Sequence, residues 1–324
     1  MNPVRRSWLA GCAAAAVWPS AAFADDKYPA RPIKFVSPAA PGALSDTLPR
    51  LLATELGRTM KTEVVVENRP GAGGSIATGS VARAPADGYT LMLGTGGTMT
   101  INPYFIPNLP YDSAKDFLGI ALVASTPLYM VVKADSPYRT VNDLVAAAKA
   151  APGELAYGSI GNGSTASIAS ALLAKAKGIQ LIDVPYAGYA PGLTELLAGR
   201  LAFMFVDGSS LARIEQGSLR ALAVSTGQRA KRLPNVPTLK EVGADVDIAV
   251  WFGVYARAGL PPEAAQRLRQ EVRSAIEQPA FRTQLAAFGL EPGTLFGDDF
   301  QKFHLAELKR WEKTIPSLGL KAPT

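Results

Sequence analysis

Ile33-Lys34-Phe35-Val36-Ser37, then Pro38-Ala39-Ala40-Pro41-Gly42-Ala43-Leu44-Ser45-Asp46, then residues 47–56 read in succession as strand, tight turn and helix. The turn is built of small residues that let a ligand approach the backbone, and Ser45 or Asp46 is placed to cap the helix. A helix start leaves several N–H groups without partners and carries partial positive charge, so a carboxylate or phosphate binds there without a dedicated Lys or Arg. One such turn is also what an ordinary α/β domain uses to join a strand to a helix. Repetition gives it weight, because related turns recur at residues 95–102, 159–165 and 186–192.

Outward from that unit the same order repeats. A strand over residues 63–67, the turn Asn68-Arg69-Pro70-Gly71-Ala72-Gly73-Gly74-Ser75, a helix near 76–83 and a strand over 89–94 predict a parallel sheet flanked by helices. Extended segments at 118–124 and 128–132, broken by Ser125-Thr126-Pro127, mark a first crossover into a second lobe. There Thr140-Val141-Asn142-Asp143 opens a helix to about residue 150 with a capping-box pattern. Strands at 155–160, 180–184, 201–206 and 219–225 follow, with a helix to Lys177 and another carrying Pro191 in its first turn. Residues 234–243 read as a short capped segment, and a strand over 247–255 returns the chain to the first lobe. Helices near 262–277, 280–288 and 298–313 finish it, with Phe300, Phe303 and Trp311 on a core-facing stripe of the last. The expected fold class is α/β in two lobes: residues 25–124 and 250–324 form one, and 125–249 the other.

The composition, 324 residues with 48% hydrophobic and 19% charged, suits one or two substantial cores. Residues 1–24 are set aside as a secretory signal peptide, since Arg5 and Arg6 precede an apolar run and Ala22-Phe23-Ala24 offers a small-x-small cleavage site. That run is too short to span a bilayer. Cys12, the single cysteine, sits in Leu9-Ala10-Gly11-Cys12, a mimic of a lipoprotein box; the apolar run before it is very short, so cleavage after Ala24 is favoured. The mature chain then has neither a disulfide nor a thiolate nucleophile. Its charge is modest: 33 Lys and Arg less Arg5 and Arg6 leaves 31 against 27 Asp and Glu, about +4. The basic residues are scattered rather than striped with aromatics, which argues against nucleic-acid binding.

Catalytic chemistry finds little support. His304 is the only histidine, it falls on the expected last helix, and no G-x-S-x-G elbow is present. One His and no mature Cys cannot build the usual transition-metal sites. The alternative function is an exported enzyme or a dinucleotide-binding protein. Strand, Gly161-Asn162-Gly163-Ser164-Thr165-Ala166, helix, strand and Asp183 imitate the dinucleotide fingerprint in order and spacing.

The chain resembles the extracytoplasmic solute receptors of tripartite tricarboxylate transporters, the Bug family of periplasmic binding proteins. The resemblance covers essentially residues 28–320. It is carried by Tyr28-Pro29-Ala30-Arg31-Pro32-Ile33, Ala40-Pro41-Gly42 with Asp46, Glu67-Asn68-Arg69-Pro70-Gly71-Ala72-Gly73-Gly74, Ala86-Asp87-Gly88-Tyr89-Thr90-Leu91, Gly158-Ser159-Ile160-Gly161-Asn162-Gly163-Ser164 and Val184-Pro185-Tyr186 with Gly188. Residues 219–224 and 233–238 extend it. It implies a two-lobed Venus-flytrap fold, type II-like, with two crossover strands. It implies a periplasmic, monomeric, cofactor-free non-enzyme that captures a small organic carboxylate and hands it to an integral membrane permease.

By that resemblance Pro41, Gly42, Ala43, Thr95 and Thr98 face the ligand from one lobe. Ser159, Gly163, Ser164, Thr165, Tyr186 and Gly188 face it from the other. Asp207 matches a pocket position able to pair with a ligand amine, or else it caps its own turn; Trp251 is either an apolar wall or core. Ala43 stands where a second glycine is common, Ala187 replaces a frequent lysine, and Ala166 with Ser167 replaces a bulkier pair. These departures weaken citrate itself as the expected ligand.

Overall fold

The computed structural model describes residues 28–161 and 163–319, so the expected signal peptide and Cys12 lie outside the described residues. In chain order the elements are β1 (Ile33–Ser37), α1 (Leu44–Met60), β2 (Val64–Asn68), α2 (Ser75–Ala82), β3 (Thr90–Thr95), α3 (Asn102–Phe105), β4 (Phe117–Pro127) and β5 (Tyr129–Lys133). There follow α4 (Val141–Ala150), β6 (Ala156–Ser159), α5 (Thr165–Lys177), β7 (Ile182–Pro185), α6 (Tyr189–Leu197), β8 (Phe203–Val206), α7 (Leu211–Glu215) and β9 (Leu219–Val224). The chain closes with β10 (Ala249–Arg257), α8 (Pro262–Glu277), α9 (Pro279–Ala287), β11 (Glu291–Pro292) and α10 (Asp298–Thr314). A π-helical turn occupies Gly97–Ile101 and 3-10 turns occupy Ala72–Gly74 and Gly208–Ser210.

Two mixed sheets result, ordered β11-β4-β10-β3-β1-β2 and β7-β6-β8-β5-β9. In the first, β1 runs parallel to β2 and β3; in the second, β6 runs parallel to β7 and β8. The central strands are apolar along their length because helices cover both faces, whereas the edge strand β2 is only half-buried. On α1, Leu48, Leu52 and Leu56 recur every fourth residue and pack on Phe35 and Leu91.

Several boundaries differ from the sequence reading, each for a visible reason. The strand β4 continues through Ser125-Thr126-Pro127 because Ser125 pairs with Trp251 and Pro127 with Ala249, so the first crossover is Leu128. Residues 234–243, the short capped segment, run as turns in which Thr238 and Glu241 exchange the two bonds of a capping box. The aromatic stripe on α10 divides between lobes. Phe300 packs with Val36, Trp251 and Tyr255, while Trp311 and Ile315 join the cluster built on β5, β6 and β8. At 17 residues this helix is roughly 25 Å long, enough to bridge the two sheets.

Gly253 lets α10 seat on β10, since a Cβ there would lie 2.2 Å from Phe300 Cζ. Gly253→Ala is expected to cost roughly 1–3 kcal/mol through overpacking. Urea unfolding would show it, and an unchanged midpoint would mean that Phe300 does not press on this strand.

Candidate functional site

Register places the site. Thr95, the end of β3, pairs with Phe252, next to Trp251 where β10 leaves the crossover. Val206, the end of β8, pairs with Tyr129, the first residue after the crossover at Leu128. Because β1 and β2 run with β3, and β6 and β7 with β8, six strand-end turns gather where the chain passes between sheets. In each sheet the chain goes from the central strand to one side and returns on the other, a topological switch that opens a crevice between β1 and β3 and between β6 and β8.

In the first lobe the helix start is shaped from behind. The N-cap of α1 is Ala43, which offers no side-chain cap, and Pro41, Gly42 and Ala43 are exposed. Asp46 is not the N-cap expected from sequence. It lies inside the helix, 3% exposed, accepts the Gly42 N–H at 2.9 Å and is held by Asn68 Nδ2 at 2.7 Å and Arg50 at 2.8 Å. Burial opposes its charge, but the bonds from Arg50, Gly42 and Asn68 outweigh that and hold its carboxyl below the ordinary value. Pro49 interrupts α1 and leaves the Ser45 carbonyl without its helical N–H; Ser37 Oγ donates to that carbonyl at 2.8 Å instead. With the start fixed and uncapped, the first N–H groups of α1, at Leu44 and Ser45, have no intrahelical acceptor.

The neighbouring turn is a closed ring. Thr95 N–H donates to Thr98 Oγ1 at 2.9 Å, and Thr98 N–H donates to Thr95 Oγ1 at 3.1 Å. Thr98 is 3% exposed and its hydroxyl donates back to the Thr95 carbonyl, so it shapes the turn rather than presenting itself at the surface. Thr95 is half-buried and stands above it. Trp251 is core, 3% exposed and edge-on to Phe300 and Phe303, with its Nε1 beneath Gly96. It packs under the turn as part of the core.

In the second lobe Ser164 caps α5 by accepting the Ser167 N–H at 3.2 Å, which leaves the N–H groups of Thr165 and Ala166 as the free donors of that start. Ser159 is fully buried and its Oγ accepts from Gly161 N–H, so it supports the turn from within. Tyr186 N–H bonds the Ser159 carbonyl at 2.9 Å and so ties the second turn to the first. Gly188, with φ of 119°, is the N-cap of α6 and supplies no side-chain cap. Asp207 caps the 3-10 turn after β8: its Oδ1 accepts from Ser209 N–H at 3.0 Å and Oγ–H at 2.5 Å. It is 7% exposed, and burial pushes its carboxyl above the ordinary value against those two bonds. Burial first, and the Asp207 charge second, push the Tyr189 phenol at the start of α6 above its ordinary value.

Sequence reasoning missed the cross-lobe contact. Phe105 of α3 lies where a Cβ on Gly163 would meet its ring at 2.6 Å, and it shares a cluster with β5 and β8 residues. This contact also bears on the dinucleotide reading, since Phe105 covers the glycine turn. Asp183 lies within β7, opposite Tyr157, and accepts Ser167 Oγ at 2.9 Å instead of standing at the strand end. Among the described residues no group of three or more His, Cys, Asp or Glu is placed to hold a metal. Two concave pockets, about 550 and 490 Å³, lie elsewhere, between residues 103–114 and α10 and around residues 133–138 with 199–202. Neither is lined by the turns, whose peptide N–H groups are the donors considered for an anion.

Two mixed α/β sheets joined by crossover strands, each with its strand-end turns on the crossover side, fit the solute-receptor class of fold. The chain belongs to the tripartite tricarboxylate transporter receptor family, whose model matches residues 48–320. It is 32% identical to protein BugT of Bordetella pertussis over 99% of both chains. Among solved structures it is similar to R. palustris Rpa4515 with adipate, at a TM-score of 0.82 and 34% identity over 91% of this chain and 99% of that one. It is also similar to MatC from Rhodopseudomonas palustris with bound malate, at 0.79 and 27% over 89% and 100%.

The histidine has a structural place. His304 is fully buried on α10, its Nε2 is 3.0 Å from Ser113 Oγ, and Ser113 donates to the Met99 carbonyl at 2.5 Å. Since the Ser113 proton is used, Nε2 carries the imidazole hydrogen. Burial lowers its pKa from 6.5 to about 4. A depressed histidine costs nothing above pH 6.5; the cost grows as pH falls to about 4 and amounts to roughly 3 kcal/mol there. Urea midpoints measured from pH 7 to pH 4.5 are expected to decline, and less steeply in His304→Gln; equal slopes would remove the histidine from the account.

Proposed function

We propose that this chain is an extracytoplasmic receptor that closes on a small organic carboxylate in the gap between its two sheets and delivers it to a membrane permease. One observation carries the reading: α1 begins at Ala43 with no side-chain cap, beside Gly42 at φ of 91°, at a switch point where the α5 and α6 starts also open. An anion placed there gains peptide donors and the positive ends of helices. The adipate and malate held by the two similar structures fit that chemistry. We assign Pro41, Gly42, Ala43 and Thr95 to the first lobe's contact surface, with Thr98 and Trp251 beneath. Ser164, Thr165, Tyr186 and Gly188 belong to the second, with Ser159 and Gly163 holding their turn.

The lobes follow the sheets, with residues 25–124 and 250–324 in one and 125–249 in the other, adjusted to the crossover at Leu128. Residues 1–24 act as the export signal, and the working unit is a monomer without cofactor or catalytic role. Arg5, Arg6 and the apolar run after them support export.

Asp207 refines the ligand. A carboxylate this buried, with no cation beside it among the described residues, repels a second carboxylate and favours an ammonium or another hydrogen-bond donor at that end of the ligand.

Thermal-shift and calorimetric titration with adipate, malate and aspartate test the proposal. Ligand at a hundred times Kd should add about 2.7 kcal/mol of stability. No stabilisation by any carboxylate would end the reading. Ser164→Ala is expected to weaken binding by about 0.5–1.5 kcal/mol, the worth of one hydrogen bond. Asp207→Asn should favour adipate relative to aspartate; an unchanged ratio in calorimetry would confine Asp207 to capping its turn.

A further inference from the structure

We propose that Tyr111 and Ser113, with His304 behind Ser113, are positioning residues that set the ligand-facing turn of the first lobe. The inference rests on the proposed role of Thr95 at the ligand.

The turn Gly97–Ile101 is π-helical, a wider winding that leaves its carbonyls out of the usual i→i+4 ladder and often marks functional sites. Two of those carbonyls are taken by side chains from another segment. Tyr111 O–H donates to the Thr98 carbonyl and Ser113 O–H to the Met99 carbonyl, each at 2.5 Å. His304 Nε2 then fixes Ser113 Oγ at 3.0 Å from α10, across 191 positions of sequence. All three side chains are buried, at 7%, 3% and 0% exposure.

The ring between Thr95 and Thr98 makes the turn stiff within itself but does not fix its tilt against the sheet. The socket beneath is tight: a Cβ on Gly94 would meet Met99 and Tyr255 at 2.7 Å, and one on Gly96 would meet Trp251 Nε1 at 3.0 Å. Packing therefore limits how deep the turn sits. The two carbonyl tethers set its rotation, and with it the direction of the Thr95 hydroxyl.

The test uses Ser113→Ala, Tyr111→Phe and the conservative Ser113→Thr in the full mature chain. Amide hydrogen exchange of the free protein is read at Thr95 and Thr98, with β1 as internal reference. Adipate is the titration probe. Either removal should speed exchange at Thr95 and Thr98 about tenfold, leave residues 33–37 unchanged and weaken adipate two- to tenfold, while Ser113→Thr restores both. Unchanged exchange in the turn, a rise shared equally by β1, or a loosened turn that binds adipate as tightly as before would overturn the proposal. If the unsubstituted protein ignores adipate, that result counts against adipate as a ligand, and the exchange at Thr95 and Thr98 still decides the tether.

Discussion

The Asp46 carboxylate is the constraint on which the turn after β1 and the start of α1, the first lobe's proposed binding surface, depend. It sits in the first turn of α1, almost sealed from water, and draws Gly42 N–H, Arg50 and Asn68 Nδ2 onto itself. Asn68 Nδ2 in turn donates to the Ala39 carbonyl at 2.9 Å. One carboxylate thus joins the turn after β1, the helix that follows and the end of β2. A buried carboxylate without partners would be costly, so the same burial that penalises a lost bond keeps this set together. Pro49 adds a second brace, because the carbonyl it strands is the one that Ser37 reaches from the end of β1.

Holding the turn this way has a chemical consequence. Arg50 lies close to the α1 start, but its guanidinium is committed to Asp46 and to Asn68 Oδ1. Arg69, at the next turn, pairs with Glu67 at 2.5 Å. The nearby cations therefore shape the loop and do not reach into the crevice, and the attraction for an anion falls to peptide dipoles that the fold has fixed in advance. Hydroxyls follow the same logic. Thr98 and Ser159 are buried and hold their turns, whereas Thr95 and Ser164, which also brace theirs by accepting the Thr98 and Ser167 N–H groups, are only half-buried.

Much of this was legible in the sequence because it rests on short-range rules. The expected β1 coincides with the strand, and α4 and α8 have their expected residues, since capping residues and prolines fix such ends locally. The two-lobed α/β plan follows from alternation and from the family motifs. Long-range pairing hid the rest. Ser125-Thr126-Pro127 looks like a break until β10 is set beside it. Asp46 looks like a cap until Asn68 and Gly42 converge on it. Trp251 and Thr98 carry no mark in sequence that separates a floor from a wall. The π-helical turn has no distinctive composition, and Tyr111 and Ser113 earn their roles only through carbonyls they meet in space.

The lobes are joined by more than two strands, which bears on how the molecule can close. Phe105 reaches from the first lobe to Gly163 in the second, and Trp311 and Ile315 carry the end of α10 into the second lobe's core. On another side Gly208 and Gly289 touch backbone to backbone: a Cβ on Gly208 would lie 2.4 Å from the Gly289 carbonyl oxygen, and one on Gly289 would lie 2.6 Å from that of Gly208. Gly163 answers two demands at once, a φ of 76° and no room beside Phe105. Closure about strands alone would leave these contacts arbitrary. Side-chain-free backbone at Gly208 and Gly289 lets those two segments approach closely, and the turn that Phe105 covers is the one that opens α5. The residues that join the two sheets here, Phe105 and Gly163, therefore also brace the start of α5.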